Sequence, residues 1–235
     1  MKYKRILLKF SGESLAGNNQ YGIDAAKLEE YATEIASVHA MGTQIAVVLG
    51  GGNIFRGFQG NTTGIDRVQG DYMGMLATVI NSLGLKEVLD NIDIPSVVMG
   101  GIAIDPLCEK ISRERAIQKL EEGRVVIISG GTGNPFFTTD SAAALRAVEI
   151  KADVILKGTR VDGIYSADPE KDPNAVKYDT LSFDEAIDKQ LRVMDLTAFT
   201  LCRENNMPVV VFNANQKGNL KKIIEGENIG TFVSA

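Results

Sequence analysis

Apolar and polar residues follow two different periods along this chain, and together they predict strands that alternate with helices. The runs 45–49 and 125–128 are apolar at every position, as expected for parallel strands covered by helices on both faces. Before the first of these runs, apolar residues recur at helical spacing after Asp24, a residue type that often caps a helix N-terminus. This alternation predicts an α/β fold with a largely parallel central sheet.

The same patterns give limits for each element. Predicted strands cover 3–10, 45–49, 94–99, 125–128, 154–157, 209–212 and 231–233. Predicted helices cover 24–42, 66–83, 112–122, 182–191, 195–205 and 220–225, and one more opens at 138–140. Turn-forming Asp-Pro and Asp-Gly pairs predict a long loop over 160–174. The helix over 66–83 has a mostly apolar face, which we expect to pack in the core and not to form a subunit contact. Its apolar residues are Met73, Met75, Leu76, Val79, Ile80 and Leu83.

Composition and charge narrow the class of protein. With 235 residues, 44% hydrophobic and 23% charged, the chain suits a single domain over 1–235 without a linker. The net charge of −5 provides no basic surface, so nucleic acid is not an expected partner. Cys108 and Cys202 lack metal-ligand spacing, and the N-terminal apolar run 6–8 is too short for a signal peptide or a membrane span. We expect a reduced, cytoplasmic setting without membrane contact.

Three predicted strands end in glycine-containing loops, and these junctions form the candidate site. They are 9–12 (KFSG), 50–56 (GGGNIFR) and 130–140 (GGTGNPFFTTD). In a parallel sheet such loops emerge at the same carboxyl edge, where residues far apart in sequence meet. Unobstructed backbone N–H groups and a helix N-terminus both favour anions. We therefore predict a site for phosphorylated ligands at this edge.

The sequence lacks two common nucleotide-binding motifs, and it disfavours a zinc hydrolase. The chain has no Gly-Lys pair for a Walker A loop and no GxGxxG frame. Its single histidine, His39, has no HxxxH partner, so a zinc hydrolase is disfavoured and His39 is expected to be a surface or packing residue. Transfer of a phosphoryl group to an anionic oxygen needs cations rather than a base. Lys9, Arg56 and Lys157 are placed to supply them.

The chain resembles the bacterial uridylate (UMP) kinases of the amino acid kinase superfamily over essentially its whole length. The matching segments, in order, are KRILLKFSGE, VVLGGGNIFRG, GDYMGMLATV, GTGNPFFTTDSAAALR, VDGIYSADP and VMDLTAF. The resemblance implies a three-layer αβα sandwich around a mostly parallel sheet. It also implies transfer of the γ-phosphoryl group of ATP, with Mg²⁺, to UMP on the pyrimidine nucleotide pathway. Finally, it implies a homohexamer built from dimers, with GTP and UTP as candidate effectors.

The resemblance also assigns residues to the site. On the ATP side it implies Lys9, Phe10, Ser11, Gly12, Gly52, Arg56, Thr159, Tyr165 and Asp168. On the UMP side it implies Gly51, Asp71, Thr132, Gly133, Asn134, Pro135, Phe136, Phe137, Thr138 and Thr139. The implied catalytic residues are Lys9, Arg56, Asp140 and Lys157, with Asp140 orienting the active-site lysine. No metal ligand is assigned to the protein itself.

Two points within the site stay open at the level of sequence. Many carboxylate kinases of the superfamily have a second lysine near 194–195, where this chain has an aspartate, so Arg56 or Lys157 is expected to supply that charge. Phe136 and Phe137 are adjacent, and neighbours in an extended loop point apart. We therefore expect one ring in the core and the other near the acceptor nucleotide.

Two other functions remain as alternatives. A carboxylate or carbamate kinase of the same superfamily is disfavoured by Asp71 and by the GNPFFTT loop. A non-catalytic nucleotide-binding sensor or storage protein is disfavoured by the presence of Lys9, Arg56 and Asp140. The segment 17–22 aligns with a region tied to GTP activation in some relatives, but its sequence differs from theirs, so regulation is left open.

Overall fold

The structure is a computed structural model that describes residues 1–55, 64–191 and 193–235. Its strands are β1 (Arg5–Phe10), β2 (Gln44–Leu49), β3 (Ser96–Gly100), β4 (Glu109–Lys110), β5 (Val125–Ser129), β6 (Val154–Thr159), β7 (Ile164–Tyr165), β8 (Lys177–Tyr178), β9 (Thr180–Ser182), β10 (Val209–Asn213) and β11 (Thr231–Ser234). Within these ranges, nine strands form a central sheet in the order β4-β3-β5-β2-β1-β6-β10-β11-β9, and β7 pairs with β8 in a separate ribbon. All neighbours in the sheet are parallel except β10 and β11.

The helices connect these strands and cover both faces of the sheet. They are α1 (Ala25–His39), α2 (Arg67–Asn91), α3 (Arg113–Glu121), α4 (Thr139–Glu149), α5 (Phe183–Asp188), α6 (Leu196–Glu204) and α7 (Asn219–Glu225), with a short 3-10 helix at Gly12–Ala16. The predicted caps Asp24, Ser112 and Ser182 each accept a hydrogen bond from a first-turn N–H group. Among the described residues, no helix has the length and apolarity to cross a membrane.

Two hydrophobic cores lie on opposite faces of the sheet. Helices α1, α2 and α7 pack over one face, and α3 to α6 pack over the other. Strand β1 contributes to both cores, because Leu7 points into one while Ile6 and Leu8 point into the other. This double burial explains why the strands are apolar at consecutive positions. The prediction of a three-layer α/β sandwich with a mostly parallel sheet is confirmed.

Several predicted limits need correction. Helix α2 continues to Asn91 instead of ending at 83, because the fully buried Leu85 and Leu89 extend its packed face. Helix α5 ends before the predicted limit of 191, and Gln190 has a left-handed backbone (φ 52°) that does not continue a helix. The predicted loop 160–174 contains strand β7. Strands β4, β8 and β9 were not predicted, because two or three residues do not display a period.

The apolar residues of α2 are divided between the core and the surface. Met75 and Val79 are 6% and 4% exposed, as core packing requires. Met73, Leu76 and Ile80 are 40%, 46% and 50% exposed, so the expectation of core packing is wrong for these three. Their spacing of three and four places them on one outer face of the helix, opposite the buried one. The structure therefore leaves an apolar outer face on α2, defined by Met73, Leu76 and Ile80.

Candidate active site

Two lysines stand side by side at the carboxyl edge of the sheet. Lys9 lies on β1 and Lys157 on β6, and the parallel pairing of the two strands puts them directly opposite each other. Residues opposite each other on paired strands point to the same face of a sheet. Leu7 and Ile155, two positions earlier on the same strands, belong to the core under α3 to α6. Both ammonium groups are therefore directed to the face where α4 begins.

The carboxylate of Asp140 joins these lysines. Its Oδ1 lies 2.8 Å from Lys9 Nζ and its Oδ2 lies 2.6 Å from Lys157 Nζ, with all three side chains largely buried. Burial acts to raise the pKa of Asp140, but the two ammonium groups outweigh burial and hold that pKa below its usual range. Burial lowers the pKa of Lys157, and Asp140 only partly offsets this effect. With both lysines charged, the cluster carries one surplus positive charge, which suits an anionic ligand.

The N-terminus of α4 lies beside this cluster and is capped by a side chain. Thr138 caps the helix, and its Oγ1 accepts hydrogen bonds from Asp140 N at 3.1 Å and Ser141 N at 3.2 Å. The Thr138 hydroxyl donates in turn to Asp195, whose carboxylate also accepts from Ser141 Oγ at 3.0 Å. Asp195 caps α6 as well, by accepting from Ala198 N at 2.9 Å. Asp195 thus ties α6 to the start of α4.

The segment that precedes Asp195 also contacts the lysine cluster. Lys157 Nζ donates a hydrogen bond to the carbonyl oxygen of Val193, in addition to its bond with Asp140. This carbonyl and the Asp140 carboxylate together fix the direction of the ammonium group. Lys157 is therefore held by two protein oxygens and has one further donor for a ligand.

The loops after β1 and β2 touch each other through their backbones. A Cβ atom on Gly12 would lie 2.5 Å from Gly50 O and 2.6 Å from Gly52 N, closer than any side chain tolerates. Gly51 packs on helix α2 just as closely, since a Cβ there would lie 2.7 Å from Gly74 O. These contacts require glycine and hold both loops at the end of β1, next to Lys9.

The loop after β5 is fastened to helix α2 at two points. Gly130 N donates to Thr78 Oγ1 and Phe136 N donates to Asp71 Oδ2, each at 2.7 Å. Phe136 and Phe137 are 64% and 48% exposed, so the expectation that one of the two rings lies in the core is wrong. Phe136 has a left-handed backbone (φ 73°), so the loop is not extended there and the alternation expected of an extended segment does not apply.

Among the described residues, a cavity of about 540 Å³ is lined by Asp140 and Lys157 themselves, and three larger cavities border the same edge of the sheet. One of about 980 Å³ is lined by the loop after β1, residues 17–21, the start of α1 and the end of β6. A second, of about 680 Å³, lies along the loop that carries β7 and includes Thr159, Tyr165 and Asp168. A third, of about 640 Å³, lies between the loop after β5 and α6, and Phe137 lines it. Lys157 borders the first two, whose sizes are those of ordinary small-molecule sites.

Comparison with known proteins identifies the family. The sequence profile of the amino acid kinase family matches residues 4–213. A uridylate kinase from Parabacteroides distasonis is 59% identical over 232 residues, which are 99% of this chain and 98% of that protein. A uridylate kinase from Bacteroides thetaiotaomicron is 58% identical, with the same coverage of 99% and 98%. The chain belongs to the amino acid kinase family, in its uridylate kinase branch.

Solved structures of relatives agree with this amino acid kinase assignment. The crystal structure of a UMP kinase from Bacillus anthracis has a TM-score of 0.96 and 38% identity, and the match covers 100% of this chain and 97% of that one. A uridylate kinase from Archaeoglobus fulgidus has a TM-score of 0.71 and 29% identity, covering 97% and 99%. The predictions of the family, its fold and its kinase class are confirmed.

In this amino acid kinase, the predicted site residues differ in how closely they gather. Lys9, Asp140 and Lys157 are in direct contact. The ring of Phe10 is buried and stacks on Tyr31 with 4.0 Å between centroids, so only the main chain of Phe10 is available to a ligand. The remaining predicted residues lie on the loops and cavity walls described above, apart from Arg56, which lies outside the described residues.

Sequence reasoning missed the polar residues that hold the loops of this kinase in place. Four polar residues bond to loops of the site: Thr78 and Asn81 on α2, Asn53 after β2, and Asp195 before α6. One signal was present, because Thr78 and Asn81 interrupt the apolar pattern of the predicted helix 66–83. A polar residue in an amphipathic helix usually faces solvent, so the pattern alone did not indicate burial.

Proposed function

We propose that this chain transfers the γ-phosphoryl group of ATP to UMP, giving ADP and UDP, in pyrimidine nucleotide biosynthesis. The observation that carries the proposal is the contact of Lys9 and Lys157 with one carboxylate, Asp140, at the edge where three glycine-containing loops meet. Relatives named uridylate kinase, 57% to 59% identical over nearly the whole chain, support UMP as the acceptor.

The cluster suits transfer between two anions. A phosphate oxygen of UMP forms a bond to the γ-phosphorus of ATP, the bond from that phosphorus to the β–γ bridging oxygen breaks, and ADP leaves with the electron pair. The attacking oxygen is already anionic, so no side chain has to remove a proton. Lys9 and Lys157 would neutralise charge on the transferred group and the leaving oxygen, which is the main contribution that phosphoryl transfer needs.

Asp140 would keep both cations in position throughout the reaction. Its two oxygens hold Lys9 and Lys157 at 2.8 and 2.6 Å, which fixes the ammonium groups before a nucleotide binds. Such preorganisation avoids the rearrangement that free lysine side chains would need in the transition state. We propose Lys157 as the second catalytic cation, because it stands opposite Lys9 on the neighbouring strand and shares its carboxylate.

We propose that ATP and UMP occupy different loops of the site. ATP phosphates would contact Lys9, the main chain of Phe10, and residues Ser11, Gly12, Gly52 and Arg56, with adenosine beside Thr159, Tyr165 and Asp168. The cavity of about 680 Å³ along the β7 loop supports this placement of adenosine. UMP would bind between α2 and the loop after β5, using Gly51, Asp71 and residues Thr132, Gly133, Asn134, Pro135, Phe136, Phe137, Thr138 and Thr139. The bond from Phe136 N to Asp71 supports a ligand site between these two elements.

We propose that Mg²⁺ enters with ATP. The described residues contain no group of three or more histidine, cysteine, aspartate or glutamate side chains suited to a metal ion. Asp140, the carboxylate at the centre of the site, is already engaged by two lysines. Mg²⁺ commonly keeps phosphate oxygens and waters as ligands, so delivery on the nucleotide fits this donor set. The ion would supply further neutralisation of phosphate charge when bound.

We further propose a homohexamer built from dimers, in the cytoplasm, with GTP and UTP as effectors. The apolar outer face of α2 supports assembly, because Met73, Leu76 and Ile80 are 40% to 50% exposed and lie together on one helix. Two free, buried cysteines and no disulfide among the described residues are in keeping with a reducing compartment.

The activity is tested with the purified chain, ATP, Mg²⁺ and UMP, with nucleotides separated by chromatography. We expect UDP and ADP in equal amounts. Phosphorylation of acetylglutamate, aspartate or carbamate without UDP formation would favour a carboxylate or carbamate kinase instead. Binding of ATP and UMP without release of ADP would favour a nucleotide sensor or storage protein.

A further inference from the structure

Helix α2 carries a row of buried polar residues on the side that faces the nucleotide loops. Thr78 is 5% exposed, and Asn81 and Ser82 are 0% exposed. Buried polar side chains destabilise a protein unless they are hydrogen-bonded, so each of these has a partner to be identified. Among the described residues, Ser82 Oγ bonds within the helix alone, to Thr78 O at 2.7 Å. Thr78 and Asn81, in contrast, each bond to a different loop of the active site.

Asn81 belongs to a reciprocal amide pair that holds the loop after β2. Asn81 Nδ2 donates to Asn53 Oδ1 at 2.7 Å and Asn53 Nδ2 donates to Asn81 Oδ1 at 2.9 Å. Asn81 Nδ2 also donates to Gly50 O at 2.7 Å, the carbonyl that packs against Gly12. The pair thus fixes the first and the last residue of the Gly50–Asn53 turn on α2, in the orientation where that turn meets the end of β1.

The amide pair also reaches the segment that borders the cavity of about 980 Å³. Asn53 Nδ2 donates to Gly22 O at 2.9 Å, and Gly22 N donates to Asn53 O at 2.8 Å. Gly22 follows the segment 17–21, which lines the cavity of about 980 Å³ next to Lys9. Asn53 is 1% exposed, so water does not compete for these bonds. One buried pair therefore connects α2 to two walls of the region proposed to hold ATP.

Thr78 makes the corresponding bond to the other loop. Its Oγ1 accepts from Gly130 N at 2.7 Å and donates to Met75 O at 2.6 Å. Gly130 is the first residue of the loop after β5 and has a left-handed backbone (φ 65°), so this bond fixes the point where the chain turns away from the strand. That loop is the one proposed to bind UMP. Three residues, or about one helical turn, separate Thr78 from Asn81.

We infer that Thr78 and Asn81 are separate positioning residues for the two substrates, Asn81 for ATP through the Gly50–Asn53 turn and Thr78 for UMP through the loop after β5. Gly51, the residue of that turn proposed to contact UMP, is held independently of Asn81, because it packs directly on Gly74 of α2. This inference rests on the proposed function, because it assigns the loops to the substrates proposed there. Helix α2 is then the common support that sets the distance between donor and acceptor. A purely structural role would weaken the whole fold and both substrates together, whereas positioning affects each substrate separately.

The test compares equilibrium binding of UMP and of a non-hydrolysable ATP analogue to full-length variants by calorimetry. Asn81→Ala should weaken the ATP analogue about tenfold, the effect of losing one buried hydrogen-bond partner, and leave UMP within about twofold. Thr78→Val, which keeps the shape and removes the hydroxyl, should show the opposite pattern. Thr78→Ser restores the hydroxyl and should bind UMP like the parent chain. Ser82→Ala is the matched control, since it removes a buried hydroxyl of the same helix without touching a loop.

If Asn81→Ala does not fold, Asn53→Ala tests the same role in ATP binding, because it removes the reciprocal amide bonds from the loop side. Equal weakening of both ligands in each variant, or unchanged binding of both in folded variants, would overturn the inference. Activity of the parent chain distinguishes a failure of the positioning roles from a failure of the proposed function. If the parent forms UDP and the crossed pattern is missing, the positioning roles fail alone, whereas a parent that forms no UDP contradicts the proposed function.

Discussion

Lys9, Asp140 and Lys157 form the smallest unit that explains the site. Two ammonium groups would repel each other at the edge of the sheet, and the carboxylate between them removes that repulsion while leaving one positive charge for a ligand. The arrangement depends on the pairing of β1 and β6, which places the two lysines in register. Convergence of strand ends could be predicted from sequence. The register could not, because it depends on which strands become neighbours.

Replacement of Lys9 tests the charge-neutralising role. We expect Lys9→Ala to lower kcat by roughly 10³ to 10⁵, by analogy with the loss of a phosphate-directed arginine finger, and to change UMP binding far less. Steady-state kinetics together with calorimetry of UMP would separate these effects. An unchanged kcat in a folded Lys9→Ala variant would contradict the role assigned to this lysine.

Lys157 gives the site a characteristic dependence on pH. Burial lowers its pKa, with Asp140 only partly offsetting the effect, so the ammonium group deprotonates at a lower pH than that of an ordinary lysine. The ammonium group is present below this pKa and lost above it. We therefore expect kcat/KM to fall at a pH lower than the pKa of an ordinary lysine, which is about 10.4. Lys157→Arg stays protonated at higher pH, so any activity that this variant retains should fall at a higher pH than that of the parent chain. A flat profile up to about pH 10 in a folded enzyme would contradict a protonated Lys157 in catalysis.

The two phenylalanines show a limit of residue-level prediction. Adjacent residues point apart only in extended backbone, and the left-handed conformation of Phe136 breaks that rule. Both rings remain at the surface, and of the two only Phe137 lines the cavity between the loop after β5 and α6. No local sequence signal distinguishes this from an extended loop, since left-handed phenylalanine is uncommon.

At the scale of elements, caps and packing explain most of the boundaries. Asp24, Ser112 and Ser182 were recognised because an N-cap is a local signal that one side chain provides. The end of α2 was missed because its continuation to Asn91 depends on the buried positions of Leu85 and Leu89, which are properties of the folded state. The short strands β4 and β9 depend on neighbours in the sheet rather than on their own sequence.

Asp195 should contribute more to stability than an ordinary cap. Ser182→Ala removes a capping box at an exposed helix start and should reduce the free energy of unfolding by about 1 kcal/mol. Asp195→Ala removes a cap and also the acceptor for Thr138 and Ser141, so we expect a loss of about 2 kcal/mol. Urea denaturation of both variants would measure the difference. An equal or smaller loss for Asp195→Ala would show that the contacts with α4 add no stability.

At the scale of the whole molecule, the sequence predicted the class, the layers and the family, because these depend on patterns repeated along the entire chain. The outer face of α2 was harder to assign. Met73, Leu76 and Ile80 have the composition of a core, and only the position of the helix shows that they are exposed. Their exposure leaves an apolar outer face on the same helix whose inner side carries Thr78 and Asn81.

Charge on this outer face should disrupt the proposed assembly. We expect Leu76→Glu and Ile80→Glu to shift the protein to smaller species in sedimentation velocity, because a charge in an apolar interface is strongly unfavourable. Val176→Glu is a matched control, since Val176 is 64% exposed and lies away from α2 in the loop before β8. An unchanged sedimentation profile for both α2 variants would show that this face is not the assembly surface.

The central claim, that this kinase is built to accept UMP, is tested most directly by its choice of acceptor. A coupled assay with ATP and Mg²⁺ would compare kcat/KM for UMP, CMP, dCMP and AMP under identical conditions. We expect UMP to exceed each of the others by about a hundredfold or more, as a site that hydrogen-bonds its substrate allows. Equal turnover of all four acceptors, or a preference for any acceptor other than UMP, would contradict the function proposed for this chain.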